Sequence, residues 1–384
     1  MNFMKKHIGF LNVLVVIILG VSCNTMKHTQ PIEQEGLPPW ALGPFVRPNI
    51  NHPVISPDTS STFYCPMRQA DVKWEESETF NPGAITHQGK IVVLYRAEDN
   101  LGLGIGKRTS RIGYAESTDG ITMKRKDTPV LFPTTDDYTD LDWPGGCEDP
   151  RVTVTEDGLY VMLYTAWNRK IARLAIATSR NLVNWEKHGL AFGKAYNGRF
   201  KDLFCKSASM VTTIKDDKLV IQKIGGKYFM YWGEHAIYAA TSNDLIHWEP
   251  VLNDNNELKV IAKPRKGYFD SVFTECGPPA LMTDKGIVLL YNGKNGRIDG
   301  IGDPDYPTGA YCSGQILMDI KNPLKVLDRL DKPFFYPEAS YEKSGQYIQG
   351  TVFIQGLVYL KNVLYLYYGC ADSKIGVAMC QYKK

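Results

Sequence analysis

A strand-like pattern recurs five times along the chain and constrains its fold more than any other feature. Each copy is an apolar run that contains a tyrosine and ends in polar residues. The copies are 91-IVVLYRAED-99, 159-LYVMLYTAWN-168, 227-KYFMYWGEH-235, 287-IVLLYNGKN-295 and 363-VLYLYYGCAD-372. Their aligned tyrosines are Tyr95, Tyr164, Tyr231, Tyr291 and Tyr368, at intervals of 69, 67, 60 and 77 residues. Each interval is long enough for a four-stranded antiparallel sheet with its turns.

Related segments flank these copies. One precedes each copy, as in 81-NPGAI-85 and 148-EDPRV-152, and another follows most copies, as in 112-IGYAESTDG-120 and 237-IYAATSNDLIHWE-249. Each unit therefore has the pattern of consecutive strands joined by turns, with an outer strand after them. The sequence predicts an all-β chain folded as a five-bladed β-propeller, in which both chain ends contribute to one blade. A two-domain β-sandwich is the alternative, which a five-fold repeat disfavours.

The first residues have the layout of an export signal. Lys5 and Lys6 precede an apolar run, and small residues lead to Cys23. We expect residues 1–22 to be a signal peptide with Cys23 lipidated, or else a plain secretory signal. Residues 23–44 are predicted to be a linker, and residues 45–384 the propeller catalytic domain. The expected location is periplasmic or outer-membrane-anchored, with the lipid as the only membrane contact.

Composition excludes some partners and chemistries. The formal net charge is only +3 and no basic run with interleaved aromatic residues occurs, so no nucleic-acid partner is expected. The seven cysteines after Cys23 are scattered and form no CxxC pair. We predict that they are small buried apolar residues, and we predict neither a zinc site nor a disulfide framework. No metal and no cofactor is implied.

Charged residues open the second repeat, in 145-GGCEDPRVTV-154. In a propeller the innermost strands line a central channel whose mouth binds ligands, so Glu148, Asp149 and Arg151 are expected to point into that channel. Acids, amides and aromatic rings suit a sugar, and carboxylates on different blades can serve as acid and base in glycoside cleavage. Trp167 and Trp232 are the nearby aromatic candidates. The other candidate polar residues are Asn81, Arg96, Asp99, Asn168, Lys206, Glu234, His235, Glu275 and Asp372.

Some repeated polar and aromatic residues are better explained by structure than by function. Asp119 and Asp244 recur in the turns after the third strands, where an aspartate forms the turn itself. Trp185 and Trp248 recur in NWE and HWE segments, and we predict that they pack within the blades.

Several segments together resemble glycoside hydrolase family 130, over roughly residues 45 to 384. They are 80-FNPGAI-85, 94-LYRAED-99, 110-SRIGYAESTDG-120, 147-CEDPRV-152 and 277-GPPAL-281. The resemblance implies a five-bladed propeller that cleaves β-mannosides with inversion, by phosphorolysis in most members and hydrolysis in a smaller group. It implies that Asp149 is the general acid, acting through the 3-hydroxyl of the mannosyl unit. The implied terminal-sugar ligands are Asn81, Arg96, Asp99 and Arg111, and the implied phosphate ligands are Arg151 and Lys206.

Two segments depart from the phosphorylase pattern of that family. The chain has 230-MYWGEH-235 where phosphorylases carry a His-Arg pair, and Glu275 lies in 273-FTECGPP-279. Two acids beside an anion site repel phosphate, and a carboxylate can activate water. We therefore predict an exo-acting, inverting β-mannosidase with Asp149 as acid and Glu234, Glu275 or both as base. Its expected substrate is a β-mannose-containing oligosaccharide, with the β-1,2 linkage favoured because the family's hydrolases favour it.

Alternative functions are open at this point. A β-mannoside phosphorylase would use Arg151, Lys206 and His235 for phosphate, although an export signal disfavours an enzyme that makes sugar phosphate. A non-catalytic surface lipoprotein that binds glycans is the alternative from another class. A five-bladed glycosidase for furanosides fits the EDPR and SRIGYA segments less well.

Overall fold

The computed structural model describes residues 36–100, 102–296 and 300–382 of the 384-residue chain. The predicted signal peptide and Cys23 lie outside the described residues. The described part contains 24 β-strands, one short α-helix α1 (Thr139–Asp142) and two 3-10 helices, Ala195–Gly198 and Ser340–Glu342. Within it, no helix has the length and hydropathy needed to span a membrane. The prediction of an all-β chain is confirmed.

After a hairpin of β1 (Phe63–Cys65) and β2 (Ala70–Val72), the strands form five antiparallel meanders in chain order. The first comprises β3 (Glu78–His87), β4 (Lys90–Glu98), β5 (Ser110–Ser117) and β6 (Lys124–Arg125). The second comprises β7 (Gly146–Val154), β8 (Tyr160–Trp167), β9 (Ala172–Ser179) and β10 (Glu186–Leu190). The third comprises β11 (Ala208–Lys215), β12 (Lys218–Ile221), β13 (Lys223–Ile224), β14 (Lys227–Trp232), β15 (Tyr238–Ser242) and β16 (Trp248–Pro250). The fourth comprises β17 (Phe273–Cys276), β18 (Ala280–Met282), β19 (Ile287–Lys294), β20 (Tyr311–Met318) and β21 (Val326–Arg329), and the fifth β22 (Val352–Leu360), β23 (Val363–Cys370) and β24 (Lys374–Gln381).

The first strands of different meanders lie close to one another. In the fourth meander β17 and β18 pair with the same strand, β19, so β18 continues the first strand, and a parallel pairing joins it to β11 at Val211 and Ala280. The buried side chain of Gln355 on β22 donates one hydrogen bond to the carbonyl of Asn81 on β3 (2.7 Å) and another to that of Pro150 on β7 (2.9 Å). These contacts satisfy buried carbonyls and hold the first strands of the first, second and fifth meanders together.

The segment before the first meander pairs with the last strand. Val46 bridges Met379 and Ile55 bridges Ile375, both antiparallel, so the two chain ends share the fifth meander as the sequence predicted. Trp40 and Leu42 are buried in the same core cluster as that meander. Residues 37–44, predicted to belong to a linker, are therefore part of the packed fold, because these apolar side chains lose contact with water there.

The five repeated tyrosines form the interior of their meanders, each at most 1 % exposed. The residue paired with each on the next strand is small, and these residues are Gly113, Ala175, Ala239, Gly314 and Gly376. A Cβ atom on Gly113 would lie 2.3 Å from Cζ of Tyr95, so the ring lies directly over the glycine. The glycine in the IGYA and IGVA segments therefore makes room for the tyrosine of the preceding strand.

Gly113→Ala tests this packing. The added methyl group overlaps the Tyr95 ring, so we expect the free energy of unfolding to fall by about 1–3 kcal/mol, as for other overpacked cores. Urea unfolding followed by tryptophan fluorescence measures the change. Gly104→Ala is the matched control, because a Cβ at Gly104 meets nothing within 4 Å. Equal stability of the two variants would contradict the packing argument.

Buried carboxylates accept hydrogen bonds from the hydroxyls of three of these tyrosines. Glu75 accepts from Tyr95 at 2.8 Å, and Asp270 accepts from Tyr291 at 2.6 Å. Each acid is balanced by arginine: the nearest guanidinium contacts are Arg125 to Glu75 (3.2 Å) and Arg329 to Asp270 (2.5 Å). A third such contact joins Tyr368, Glu342 and Arg47. Acids in the segments before or within the meanders thus anchor their interiors.

The repeated aspartates and tryptophans are structural, as predicted. Oδ1 of Asp119 accepts two backbone hydrogen bonds, at 2.8 and 2.7 Å, and Oδ1 of Asp244 does the same at 2.9 and 2.8 Å. Trp248 is 1 % exposed and Trp185 is partly buried against the second meander. The seven described cysteines are all buried, which confirms the prediction that they are small buried residues.

Candidate active site

A cavity of about 290 Å³ opens where the five meanders meet. Each meander contributes residues from its first strand or from the residues just before that strand. Those lining residues are Phe80, Asn81, Glu148, Asp149, Lys206, Phe273, Glu275 and Phe353. The ends of second strands, the first residues of third strands and the loops supply the rest, namely Arg96, Glu98, Ile105, Gly106, Trp167, Ala172, Phe204, Glu234, Tyr311, Gln346, Tyr347 and Asp372. Strongly polar and aromatic side chains are therefore combined in one site.

Asn81 and Asp149 occupy equivalent positions in the first and second meanders. Each precedes a proline at a β-bulge, and their φ angles are +46° and +50°. A bulge re-aims a side chain, and asparagine and aspartate tolerate this left-handed conformation better than most residues do. The Asn81 amide donates a 2.9 Å hydrogen bond to Oδ1 of Asp149. The two repeats thus bring an amide and a carboxylate together in the cavity wall.

Arg96 forms ion pairs with three acids of the site, and one of them is Asp149. Its guanidinium lies 3.2 Å from Asp149, 2.8 Å from Glu148 and 2.6 Å from Glu98, over the Phe80 ring. Burial acts to raise the pKa of Asp149, but Arg96, Lys206 and other donors outweigh it and hold that pKa below its usual value. Asp149 is therefore ionised at neutral pH in the unliganded site.

Two other acids of the cavity have raised pKa values. Burial raises the pKa of Asp372 to about 7, although Arg96 opposes the shift. Burial likewise raises the pKa of Glu148, against the attraction of Arg96 and of Lys206, whose Nζ lies 3.9 Å away. Carboxyls with such different environments in one cavity can hold and release protons separately, as acid–base catalysis requires.

Glu234 and Glu275 face each other. They are partners in an antiparallel bridge between the turn after β14 of the third meander and β17 of the fourth, and both line the cavity. Burial and the neighbouring Glu234 raise the pKa of Glu275 to about 8, and burial also raises the pKa of Glu234. The Ser207 hydroxyl donates a short hydrogen bond to Glu275. Since two adjacent carboxyls resist ionising together, Glu275 keeps its proton to a higher pH than an ordinary glutamate does.

Arg151 lies behind the cavity surface, 2 % exposed. Its N–H groups donate to the carbonyls of Gly277 (3.2 Å), Cys276 (3.2 Å) and Asp149 (3.2 Å) and to the Ser207 hydroxyl (2.9 Å). Its guanidinium also lies 3.5 Å from Glu275. Protein groups therefore occupy the donors that the resemblance to phosphorylases would give to phosphate.

The structure brings nine of the predicted site residues into the cavity lining. They are Asn81, Arg96, Glu148, Asp149, Trp167, Lys206, Glu234, Glu275 and Asp372. Besides Arg151 and Trp232, four predicted residues lie elsewhere. Asp99 and Arg111 form a buried pair at 2.8 Å behind the wall, Asn168 caps a turn by accepting the N–H groups of residues 170 and 171, and His235 is exposed with its ring edge-on to Phe273.

Trp232 was expected near the ligand, and this prediction is wrong. It is 1 % exposed and packs against Phe192 and Tyr238, at ring-centroid distances of 4.7 and 4.8 Å. Side chains alternate in direction along a strand, so a residue at a strand end can equally enter the core.

Sequence reasoning missed much of the apolar lining. The missed residues are Phe80, Ile105, Phe204, Phe273, Tyr311, Tyr347 and Phe353. The repeat could have identified Phe80, because Phe80 occupies the same repeat position as Glu148. Nothing in the repeat indicates Ile105, Phe204 or Tyr347, because these residues lie in segments outside it. Across residues 36–100, 102–296 and 300–382, no group of three or more His, Cys, Asp or Glu side chains is arranged to hold a metal ion.

An all-β chain that gathers several carboxylates, an arginine and aromatic rings in one cavity has the features of a carbohydrate-cleaving enzyme. The chain belongs to glycoside hydrolase family 130. The family model, described as β-1,4-mannooligosaccharide phosphorylase, matches residues 59–384.

Two relatives from Thermoanaerobacter sp. (strain X514) are similar over most of their length. A 1,2-β-oligomannan phosphorylase is 33% identical over 325 residues, covering 83% of this chain and 94% of the relative. A β-1,2-mannobiose phosphorylase is 29% identical over 322 residues, covering 81% and 93%.

Solved structures of higher identity share the fold. A glycosyl hydrolase from Bacteroides ovatus is 59% identical, with a TM-score of 0.87, covering 90% of this chain and 95% of that one. Another structure is also 59% identical, with a TM-score of 0.88 and coverage of 91% and 97%. It comes from work describing, within this family of mannoside phosphorylases, glycoside hydrolases that target β-1,2 mannosidic linkages in Candida mannan.

Proposed function

We propose that the chain is an exo-acting, inverting glycoside hydrolase that releases mannose from β-mannosides, with β-1,2 linkages favoured. The observation that carries this proposal is the glutamate pair: Glu234 and Glu275 face each other in the same cavity as Asp149. Together these residues supply the acid and the base that inverting glycoside cleavage needs.

The proposed reaction assigns one role to each side of the cavity. Asp149, once protonated, supplies the proton to the leaving-group oxygen, through the sugar 3-hydroxyl as the family resemblance implies. Glu234, the less buried member of the pair, removes a proton from the attacking water, while Glu275 keeps its own proton. The glycosidic C–O bond breaks as the water C–O bond forms, and the proton lost from water is retained on the glutamate.

The shape of the site favours cleavage at a chain end. Asn81, Arg96 and Asp149 are 4 to 7 % exposed, so the polar part of the cavity is deeply enclosed. An enclosed polar end accommodates one terminal sugar, and the remainder of the substrate extends toward the opening.

Phosphorolysis is the second candidate, and the names of the family model and of the two relatives favour it. In that reaction inorganic phosphate replaces water, and Lys206 with Arg151 would bind it. Two observations count against phosphate binding. Protein carbonyls and Ser207 already occupy the donors of Arg151, and the Glu234–Glu275 pair adds negative charge to the same cavity.

Product analysis decides between these reactions. The chain from Asn24 onward is incubated with β-1,2-mannobiose, and separately with β-1,4-mannosyl-glucose, with and without inorganic phosphate. We expect free mannose at equal rates in both conditions. Mannose 1-phosphate formed only with phosphate would establish the phosphorylase, and binding without any turnover would favour a glycan-binding protein.

We also propose a fold for the catalytic domain and a cellular location for the protein. Five consecutive meanders, a shared final meander and first strands gathered around one cavity support a five-bladed β-propeller as the catalytic domain. The sequence of the first residues supports export, with Cys23 as the lipidated residue and a periplasmic or outer-membrane location.

A further inference from the structure

The cavity opening differs in chemistry from its enclosed end. Among the residues that line the cavity, two are exposed: Ile105, at 60 %, and Phe204, at 51 %. Both are apolar, whereas the charged lining residues are buried or half-buried. Isolated exposed apolar side chains are common on proteins, but two at the rim of one cavity form part of its binding surface.

Trp167 and Ala172 line the same cavity, and the segment of Phe204 lies beside them. The backbone N–H next to Phe204, that of Cys205, donates to the carbonyl of Ala172 at 3.1 Å. Ala172 is paired with Trp167 across β8 and β9. We call Ile105, Trp167, Ala172 and Phe204 the mouth wall.

The mouth wall is held in place by its surroundings. A Cβ at Gly145 would lie 2.2 Å from Cδ1 of Trp167, so the indole packs directly on that backbone. The Thr165 hydroxyl donates to the carbonyl of Lys206 at 3.0 Å, which fixes the segment after Phe204. Arg169 donates to the carbonyl of Lys107 at 2.6 Å and ties the loop of Ile105 to the end of β8. A fixed aromatic surface loses little conformational entropy on binding.

We propose that the mouth wall is the leaving-group site and recognises the leaving group by its apolar face rather than by its hydroxyls. This inference rests on the proposed function, which places the terminal mannose at the enclosed polar end. The leaving group then extends past the exposed Phe204 and Ile105. Selection by an apolar face admits leaving groups that differ in their hydroxyls, including a flat aromatic one.

Phe204→Ala in the Asp149→Asn background tests the inference by binding alone. Isothermal titration is carried out with mannose, β-1,2-mannobiose and 4-nitrophenyl β-mannoside. Mannose fills only the enclosed end, so its Kd should not change. The Kd values of the two mannosides should each rise by about five- to tenfold, and Phe204→Tyr should restore them because the ring is retained.

Tyr64→Ala is the matched control, since Tyr64 is 58 % exposed and does not line the cavity. An equal effect of Phe204→Ala on mannose and on both mannosides, or no effect on any of them, would overturn the inference. Absence of measurable binding by any of these ligands would overturn it as well. If the binding pattern holds but the wild-type chain cleaves none of the mannosides, the proposed function fails and the mouth wall stands as a binding site.

Discussion

Asp149→Asn is expected to lower kcat on β-mannosides by roughly 10³-fold or more without unfolding the protein. A general acid contributes about 10²–10⁴-fold, and the side-chain amide of asparagine cannot deliver a proton. The new side chain keeps an oxygen that can accept the Asn81 hydrogen bond, so the cavity wall should persist. Initial rates with β-1,2-mannobiose measure the loss, and thermal unfolding confirms the fold.

The pH dependence separates this role from a structural one. Arg96 and Lys206 hold the pKa of Asp149 below its usual value, so the protonated fraction of the free enzyme shrinks as pH rises. We expect kcat/KM to fall with rising pH on that account, once the pH is high enough for the base Glu234 to be ionised. Asp157→Asn is the control, because that carboxylate is exposed, does not line the cavity and forms an ion pair with the exposed Arg180 at 2.9 Å. Full activity of Asp149→Asn would exclude Asp149 as the acid.

Glu234→Gln is expected to lower the hydrolysis rate by about 10²–10⁴-fold, since Glu234 is the base in the proposed reaction. Glu275→Gln should lower the rate less, because glutamine replaces a carboxyl that keeps its proton. Azide, which needs no base, should restore turnover in Glu234→Gln and yield mannosyl azide of inverted, α configuration. It should not restore Asp149→Asn on the same substrate, because that variant lacks the acid. Undiminished hydrolysis by Glu234→Gln would refute Glu234 as the base.

The pH dependence of the unfolding temperature tests the raised pKa of Glu275 independently of activity. The pKa of Glu275 is raised to about 8 from an ordinary value of 4.5, so the folded protein retains a proton that the unfolded chain loses. The resulting stability is fully present below pH 4.5 and is lost as pH rises through about 8. Glu275→Gln removes this dependence, so its unfolding temperature should decline less than that of the wild type between pH 6 and 9.

The repeat made most of the fold predictable. A tyrosine strand that recurs every 60 to 77 residues, with a glycine or alanine opposite, specifies a local antiparallel unit because the pairing lies within one segment. Asp119 and Asp244 were likewise interpretable, since an aspartate turn needs only its own neighbours. The boundary near residue 45 was misplaced because the burial of Trp40 and Leu42 depends on packing against distant strands.

The site was predictable where the repeat aligned its residues and uncertain elsewhere. Asn81 and Asp149 follow from two equivalent asparagine–proline and aspartate–proline bulges. By contrast, Arg111 and Asp99 turned out to be a buried pair, and Phe204 lies in a segment that has no counterpart in the other repeats. Residue type alone does not show whether a polar side chain faces a cavity or a partner behind its wall.

The amino-acid order thus settled which residues form strands, how often the unit repeats, which tyrosines are interior and where the bulged Asn81 and Asp149 stand. These properties depend on side-chain periodicity and on contacts within one meander. Only the tertiary structure decided that Glu234 lies opposite Glu275 and that Arg151 donates hydrogen bonds to carbonyls of the fourth meander. Both contacts join segments that are 41 or more residues apart, and their register is fixed by how meanders pack, which no local pattern records.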